Sequence, residues 1–331
     1  MTPAPQRGEV APALLLGALA AAAAIVFLLS LAIGPAGFSL DLRGEAGALI
    51  FREIRIPRAV LGLLIGGSLG LAGAALQGYL RNPLAEPSLV GVSGGAALGA
   101  VVAIHLGLSQ AFALALPAGG LIGAAIAMLA VVALAGAHGG PVTLILAGLA
   151  VSSIATALIS LALNLSQNPF ASAEMVFWMM GSLADRSTTQ LWLAAPPMLA
   201  GIAMLLLLGR ALDALTLGED AATSLGIDLA RARFHIVAGT ALCVGAATAV
   251  TGVIGFVGLL VPHVLRPFAA HRPGLLLAAS MFGGAIFLLA ADIGLRLVQP
   301  WIELRIGVLT ALIGAPFFVW LVLKTRAELA P

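Results

Sequence analysis

The sequence predicts an all-α polytopic membrane protein of about ten transmembrane helices, and three observations carry that expectation. Of 331 residues, 61% are hydrophobic and 9% charged, with a mean hydropathy of +1.12, more apolar surface than a soluble core of this length needs. The apolar residues come in repeated runs near the ~20 residues that cross a bilayer as helix. Forty glycines fit membrane helices packed backbone to backbone. The chain reads as a single transmembrane domain over 1–331 with one polar helical insertion at about 210–234. Cys243 is the single cysteine, so no disulfide forms within the chain. A net charge of +2 is too small to argue for nucleic acid.

Taken in order, runs of spanning length fall at roughly 10–33, 58–80, 90–107, 114–136, 142–165, 190–209, 234–250, 252–268, 275–295 and 306–324. The first follows Arg7 and competes with a cleavable signal peptide; its length, and the equally apolar chain beyond it, favour an uncleaved helix. An even count puts both termini on one side. With a cytoplasmic N-terminus, the inside segments hold nine cations: Arg7, Arg81, Arg210, Arg231, Arg233, Arg266, Arg272, Lys324 and Arg326. The outside segments hold seven: Arg43, Arg52, Arg55, Arg58, Arg186, Arg296 and Arg305. That is a weak positive-inside bias, and so many outward arginines imply a use for them. Four crowd into Arg43–Arg58 beside Glu45 and Glu53. The stretch reads either as an amphipathic surface segment or as a basic patch that receives an acidic protein face.

Within the runs, Gly62, Gly66 and Gly70, then Gly95 and Gly99, then Gly119 and Gly123 repeat a four-residue spacing. Helix contact inside one subunit is its first meaning and a dimer seam its second. Two prolines make Arg81–Pro87 a compact turn between helices. The segment Asn164–Ser187 holds Trp178, Met179, Met180, Asp185 and Arg186. Its apolar groups form either an interfacial belt or core, or else the soft mouth of a pathway with a cation nearby. His263 follows Pro262 with no second His one turn on, so no metal site is expected. Asp292 and Arg296 stand one helical turn apart and are expected to pair.

The polar insertion Arg210–Phe234 is the longest after residue 60 and reads as helix. Glu219 and Asp220 suit a first turn, Gly226 suits a left-handed stop, and Asp228 suits the cap of a second helix that runs into the next apolar segment. It is either a solvated loop or a docking helix that passes force from a soluble partner into the membrane. The chain's own chemistry bears on that choice. Lys324-Thr325 has no phosphate-cradling glycine loop before it. Helix interiors hold almost no carboxylates or lysines of the kind that relay protons or sodium, and Ser93 has no triad around it. The chain thus reads as neither an ATPase, an ion-coupled carrier nor a hydrolase. A passive pore would leave the helical insertion without a purpose.

Over nearly its whole length the chain resembles the FecCD-type permeases of ATP-binding cassette importers, the type II group for vitamin B12, siderophores and haem. The resemblance rests on Arg55-Ile56-Pro57-Arg58, on Gln77…Arg81-Asn82-Pro83-Leu84-Ala85-Glu86-Pro87, and on Phe177-Trp178-Met179-Met180-Gly181-Ser182-Leu183. It continues through Leu217-Gly218-Glu219…Leu225-Gly226, Gly255-Phe256-Val257-Gly258-Leu259…Pro262-His263…Arg266, His271-Arg272 and Ala291-Asp292…Arg296. It ends in Glu303-Leu304-Arg305-Ile306-Gly307-Val308-Leu309-Thr310-Ala311…Gly314-Ala315-Pro316.

The resemblance implies a vitamin B12 importer permease-like bundle in the bacterial inner membrane, multi-pass with both termini cytoplasmic. It further implies a homodimer with the substrate path on its axis, two ATPase subunits below and a periplasmic substrate-binding protein above. No cofactor is bound by this chain; ATP and Mg belong to the partner, and the chain is not an enzyme. Arg55, Arg58 and Arg296 are implied as receptors for acidic residues of the binding protein. Leu217, Gly218, Glu219, Asp220, Ser224, Leu225, Gly226 and Ile227 fall in the implied coupling helix. Two departures stand out: Phe268-Ala269-Ala270 where Gly-x-Asp is frequent, and Leu304-Arg305 where Leu-Pro is frequent. Gly181–Ser187 is similar to haem-importing members, which makes Arg186 a partner for propionates and Met179, Met180 and Trp178 lining for the path. An iron–siderophore or cobalamin remains the alternative cargo, and a stand-alone channel or secondary carrier the alternative class.

Overall fold

A computed structural model describes residues 11–34, 37–38, 44–136, 140–298 and 304–329. Arg7, Arg43, Glu303 and the side chain of Arg326 lie outside the described residues. The chain begins with α1 (Pro12–Ala32), followed by a two-residue antiparallel pair, β1 (Ile33–Gly34) and β2 (Gly37–Phe38). Next come α2 (Gly44–Ile50), a π-helical turn (Phe51–Arg55) and α3 (Ile56–Tyr79), which together make one continuous 36-residue rod. A 3-10 turn (Pro87–Val90) leads to α4 (Val92–His105), α5 (Leu108–Ala111), α6 (Ala115–Ala135) and α7 (Pro141–Leu165). Then follow α8 (Pro169–Met179), α9 (Thr188–Leu206), α10 (Gly209–Leu215) and α11 (Glu219–Ser224). The chain closes with α12 (Leu229–Thr251), α13 (Val257–Leu265), α14 (Pro273–Val298) and α15 (Ile306–Leu329).

Eight of these elements (α1, the rod ending in α3, α6, α7, α9, α12, α14 and α15) are long and apolar enough to cross a membrane. All ten expected runs are helical, but the third and eighth stop short. At ~1.5 Å per residue, the 14 residues of α4 rise about 21 Å and the nine of α13 about 14 Å, against a hydrocarbon core of about 30 Å. The third is short because the chain turns inward after α3 and restarts helix only at Gly91, which is left-handed at φ +82°. The eighth, expected over 252–268, is broken: Gly252 to Phe256 is non-helical and α13 starts late. Irregular backbone at this depth survives only where protein or a cavity covers it. A further helix, α8, forms where no spanning run exists; Pro169 opens it and the Asn168 side chain accepts the Phe170 N–H at 3.0 Å.

The glycine spacings act inside the subunit. Gly66 and Gly70 of α3 press on the backbone of Gly284 and Ser280 in α14, so closely that an added Cβ would overlap those carbonyls. Gly95 and Gly99 of α4 meet Gly123 and Gly119 of α6 in the same way. Because α3 and α14 run antiparallel, Arg58, Asp292 and Arg296 share one end of the bundle. Tyr79, Arg81 and Pro273 share the other, the end that carries α11. The start of α1 and the end of α15 fall at the α11 end as well, since Ser30 contacts Arg296 and Gly307 lies against Met180.

Candidate functional site

At the α11 end, local sequence builds a small protruding unit. Gly218, at φ +102°, turns the chain out of α10, and Glu219 and Asp220 occupy the first turn of α11. The helix stops in a Schellman arrangement: Gly226, at φ +83°, donates to the Thr223 carbonyl at 2.9 Å, and Ile227 donates to Ala222 at 3.0 Å. Asp228 then caps α12 by accepting the Arg231 N–H at 3.0 Å. Ala222 is fully buried and Ile227 packs on the main core, so the unit is seated. Glu219, Asp220 and Ser224 face outward. Leu217 and Leu225 are 70% and 64% exposed outside the spanning segments, apolar area available for a partner to cover. α12 continues from this cap without interruption for 23 residues.

At the other end of α12, the broken segment opens onto a cavity of about 800 Å3, walled by α15 and by the end of α8. Met179, Met180, Phe256, Gly307, Ala311 and Pro316 are among its lining. Phe256 is a non-glycine residue held left-handed at φ +67°, and its N–H donates to Glu86 Oε1 at 2.6 Å. Its side chain lies against Gly314, where a Cβ would overlap it. Trp178 departs from the expected pathway role. It is 8% exposed and packs with Ala97, Val101, Ile104 and Met175, because α8 turns it into the bundle.

Arg186 stands on the loop between α8 and α9, outside the cavity lining, with Nε donating to the Ser182 carbonyl at 3.3 Å. Burial lowers its pKa, Asp185 opposes that through space, and Arg305 lowers it further. It stays protonated, since a guanidinium titrates far above neutrality. Arg305, which acts on Arg186 through space, sits over the Phe177 ring at 5.5 Å. Among the described residues, no group of three His, Cys, Asp or Glu side chains is placed to hold a metal.

The expected receptor arginines divide. Asp292 and Arg296 form the expected pair at 2.9 Å, but Asp292 also takes Arg58, at 2.8 Å from NH2 and 3.1 Å from Nε. Arg296 further donates to the Ser30 and Ile33 carbonyls and the Ser30 hydroxyl, tying α1 to α14. Asp292 and Arg296 are 1% and 3% exposed. The Arg58 side chain is 12% exposed, so Arg58 and Arg296 hold helices together. Arg55 donates to the Leu31 carbonyl at 3.1 Å and is half-buried, while Arg52 and Glu53 are exposed.

Sequence reasoning missed the polar layer between cavity and α11 end. Gln77 donates at 3.3 Å to the carbonyls of Ala85, Gly258 and Leu259, and accepts from Arg266 at 2.6 Å. The signal available was the Gly252–Gly258 cluster in a run otherwise apolar enough for helix.

Comparison with known proteins sets these features in a family. The model of the FecCD transport family matches residues 15–324. The vitamin B12 import system permease protein BtuC of Klebsiella pneumoniae is 38% identical over 310 residues, covering 92% of each chain. That of Shigella boydii is 40% identical over 306 residues, covering 91% of this chain and 92% of its own. A solved structure of an inward-facing conformation, assigned to a metal-chelate type ABC transporter, superposes with a TM-score of 0.84 at 32% identity. It covers 93% of this chain and 98% of that one. The match of almost the whole chain, with the inward turn, the broken eighth run and the capped α11 unit inside it, makes this protein a member of the FecCD transport family.

Proposed function

We propose that the chain is the non-catalytic, membrane-spanning permease subunit of an ATP-driven importer of metal chelates in a bacterial inner membrane. Two copies enclose the path, two ATPase subunits seat on the α11 end, and a periplasmic binding protein delivers cargo at the Arg58 end. Both termini then lie in the cytoplasm. The observation that carries this reading is the seated α11 unit, whose two exposed leucines continue directly into the buried rod α12 and from there to the cavity wall. The family match and its permease relatives support it.

For the cargo, a chelate with carboxylates is favoured by Arg186 and Arg305 standing together near soft lining from Met179 and Met180. Haem, with its two propionates, fits that description. Cobalamin is the second reading, favoured by relatives named as vitamin B12 permeases. On the binding-protein side, Arg55 and exposed Arg52 supply the receiving charge, with Arg58 and Arg296 bracing the surface from within.

The test is uptake by proteoliposomes holding permease and ATPase, loaded with binding protein and haem, cyanocobalamin or a ferric siderophore. ATP-dependent accumulation of one chelate is expected, with Arg186→Ala lowering haem uptake at least severalfold. Transport by the permease alone, without nucleotide, would overturn the importer reading. Haem uptake unchanged by Arg186→Ala would remove the propionate contact.

A further inference from the structure

A second cavity, of about 280 Å3, opens at the α11 end between the end of α3, the start of α14, and the turns at Arg81–Pro83 and Arg266–Pro273. Its floor is buried, with Gln77 and Leu276 at 2% and 4% exposure. Arg81 and His271 stand exposed at its mouth with Arg266 half-buried between floor and mouth, and none of its lining residues is acidic. The neighbouring carboxylate, Asp213, lies outside the lining and accepts the Gly274 N–H at 2.7 Å. Arg266 is aimed rather than loose: one NH2 is held by Gln77 at 2.6 Å, and Gln77 is itself fixed by three carbonyls.

The backbone around this pocket is unusual. Arg81, Ala270 and His271 adopt φ values of +50°, +49° and +57°, left-handed for residues that carry a Cβ. Conformations of this kind persist only where surrounding structure imposes them, and they gather at ligand sites. They keep the side chains of Arg81 and His271 at the rim of one hole. Thr216 also lines the pocket and precedes exposed Leu217, so the pocket is continuous with the α11 surface.

We propose that this pocket is a second anchor for the ATPase, receiving one acidic side chain of that subunit between Arg81, Arg266 and His271; this rests on the importer reading above. A carboxylate completes the fork that Gln77 leaves half used, through charge-assisted hydrogen bonds. The two leucines beside α11 supply apolar affinity without direction. A charge seated a short distance away fixes the orientation of the partner and speeds encounter. A lipid headgroup fits the position poorly. The pocket lies at the end of α3, which is buried on most of its length, so it opens beneath the centre of the bundle rather than at its lipid-facing rim.

The experiment measures binding of the importer's ATPase subunit to full-length permease in nanodiscs, at low and high salt. Arg81→Glu and His271→Glu are each expected to weaken binding about tenfold, Arg81→Lys to retain most of it, and wild-type affinity to fall with salt. An Asp or Glu to Arg substitution on the ATPase surface is expected to restore binding to Arg81→Glu. Unchanged unfolding temperature and elution volume show that the variants are folded. Wild-type affinity in the Arg81→Glu/His271→Glu double variant, while Leu217→Asp/Leu225→Asp abolishes binding, overturns the pocket and leaves the importer reading standing. No ATPase binding by the wild type overturns that reading itself. Stabilisation of permease alone by inorganic phosphate, or binding that requires phosphatidylglycerol nanodiscs, assigns the pocket to a phosphate and overturns the carboxylate.

Discussion

The two ends of the bundle treat arginine in opposite ways. At one end Arg58 and Arg296 close on a single carboxylate, Asp292, with Arg296 and Asp292 buried and Arg58 part-buried. At the other, Arg81 and Arg266 share a pocket with His271 and no lining carboxylate, its floor buried and its mouth open. The first cluster is complete in itself and works as a clasp between α1, α3 and α14. The second is a half-site. Residue type alone does not separate a structural cation from a receiving one; what separates them is whether the fold has already supplied the counter-charge.

The largest expected effect tests the clasp. Asp292→Ala leaves one buried and one part-buried guanidinium without their partner and should cost about 3–5 kcal/mol, read as a fall in detergent unfolding temperature. Replacing Arg58, Asp292 and Arg296 together by apolar residues should recover most of that loss, because the desolvated charges leave with the carboxylate. Gly226→Ala comes next. A Cβ at φ +83° costs about 1–2 kcal/mol, seen as faster amide exchange across α11 with the membrane helices unchanged. Asp228→Ala removes the α12 cap and should cost about 1 kcal/mol, confined in the same measurement to the first turn of α12. Arg81→Ala should change stability by less than about 0.5 kcal/mol, since no fold contact of its side chain is lost, while weakening ATPase binding. A large stability loss there would erase the contrast between the two ends.

The same contrast marks what was legible from the sequence. The α11 unit could be read residue by residue because its instructions lie within ten positions: acids in the first turn, Gly226 at the stop, Asp228 at the next cap. The pairing of Asp292 with Arg296 was equally local. Arg58 meeting Asp292 joins positions 234 residues apart, and only the close passage of α3 over α14 brings them together. The eighth run looked helical because its composition is apolar throughout. It breaks at Gly252, at φ +76°, and left-handed Phe256 gives its N–H to Glu86, from a turn 170 residues earlier. Trp178 was expected in the path because belt aromatics and core aromatics look alike in sequence; α8, short and Asn-capped, decides which it is.

The uninterrupted course of α12 has a mechanical consequence. At ~1.5 Å per residue its 23 residues form a rod about 34 Å long. Turned by about 5° around its capped end, such a rod sweeps its far tip through about 3 Å, nearly a whole atomic diameter. The tip is Gly252, where the helix gives way to the non-helical stretch that leads to Phe256 and the cavity wall. The protruding α11 unit and the cavity wall thus stand at the two ends of one rod, about 34 Å apart along it.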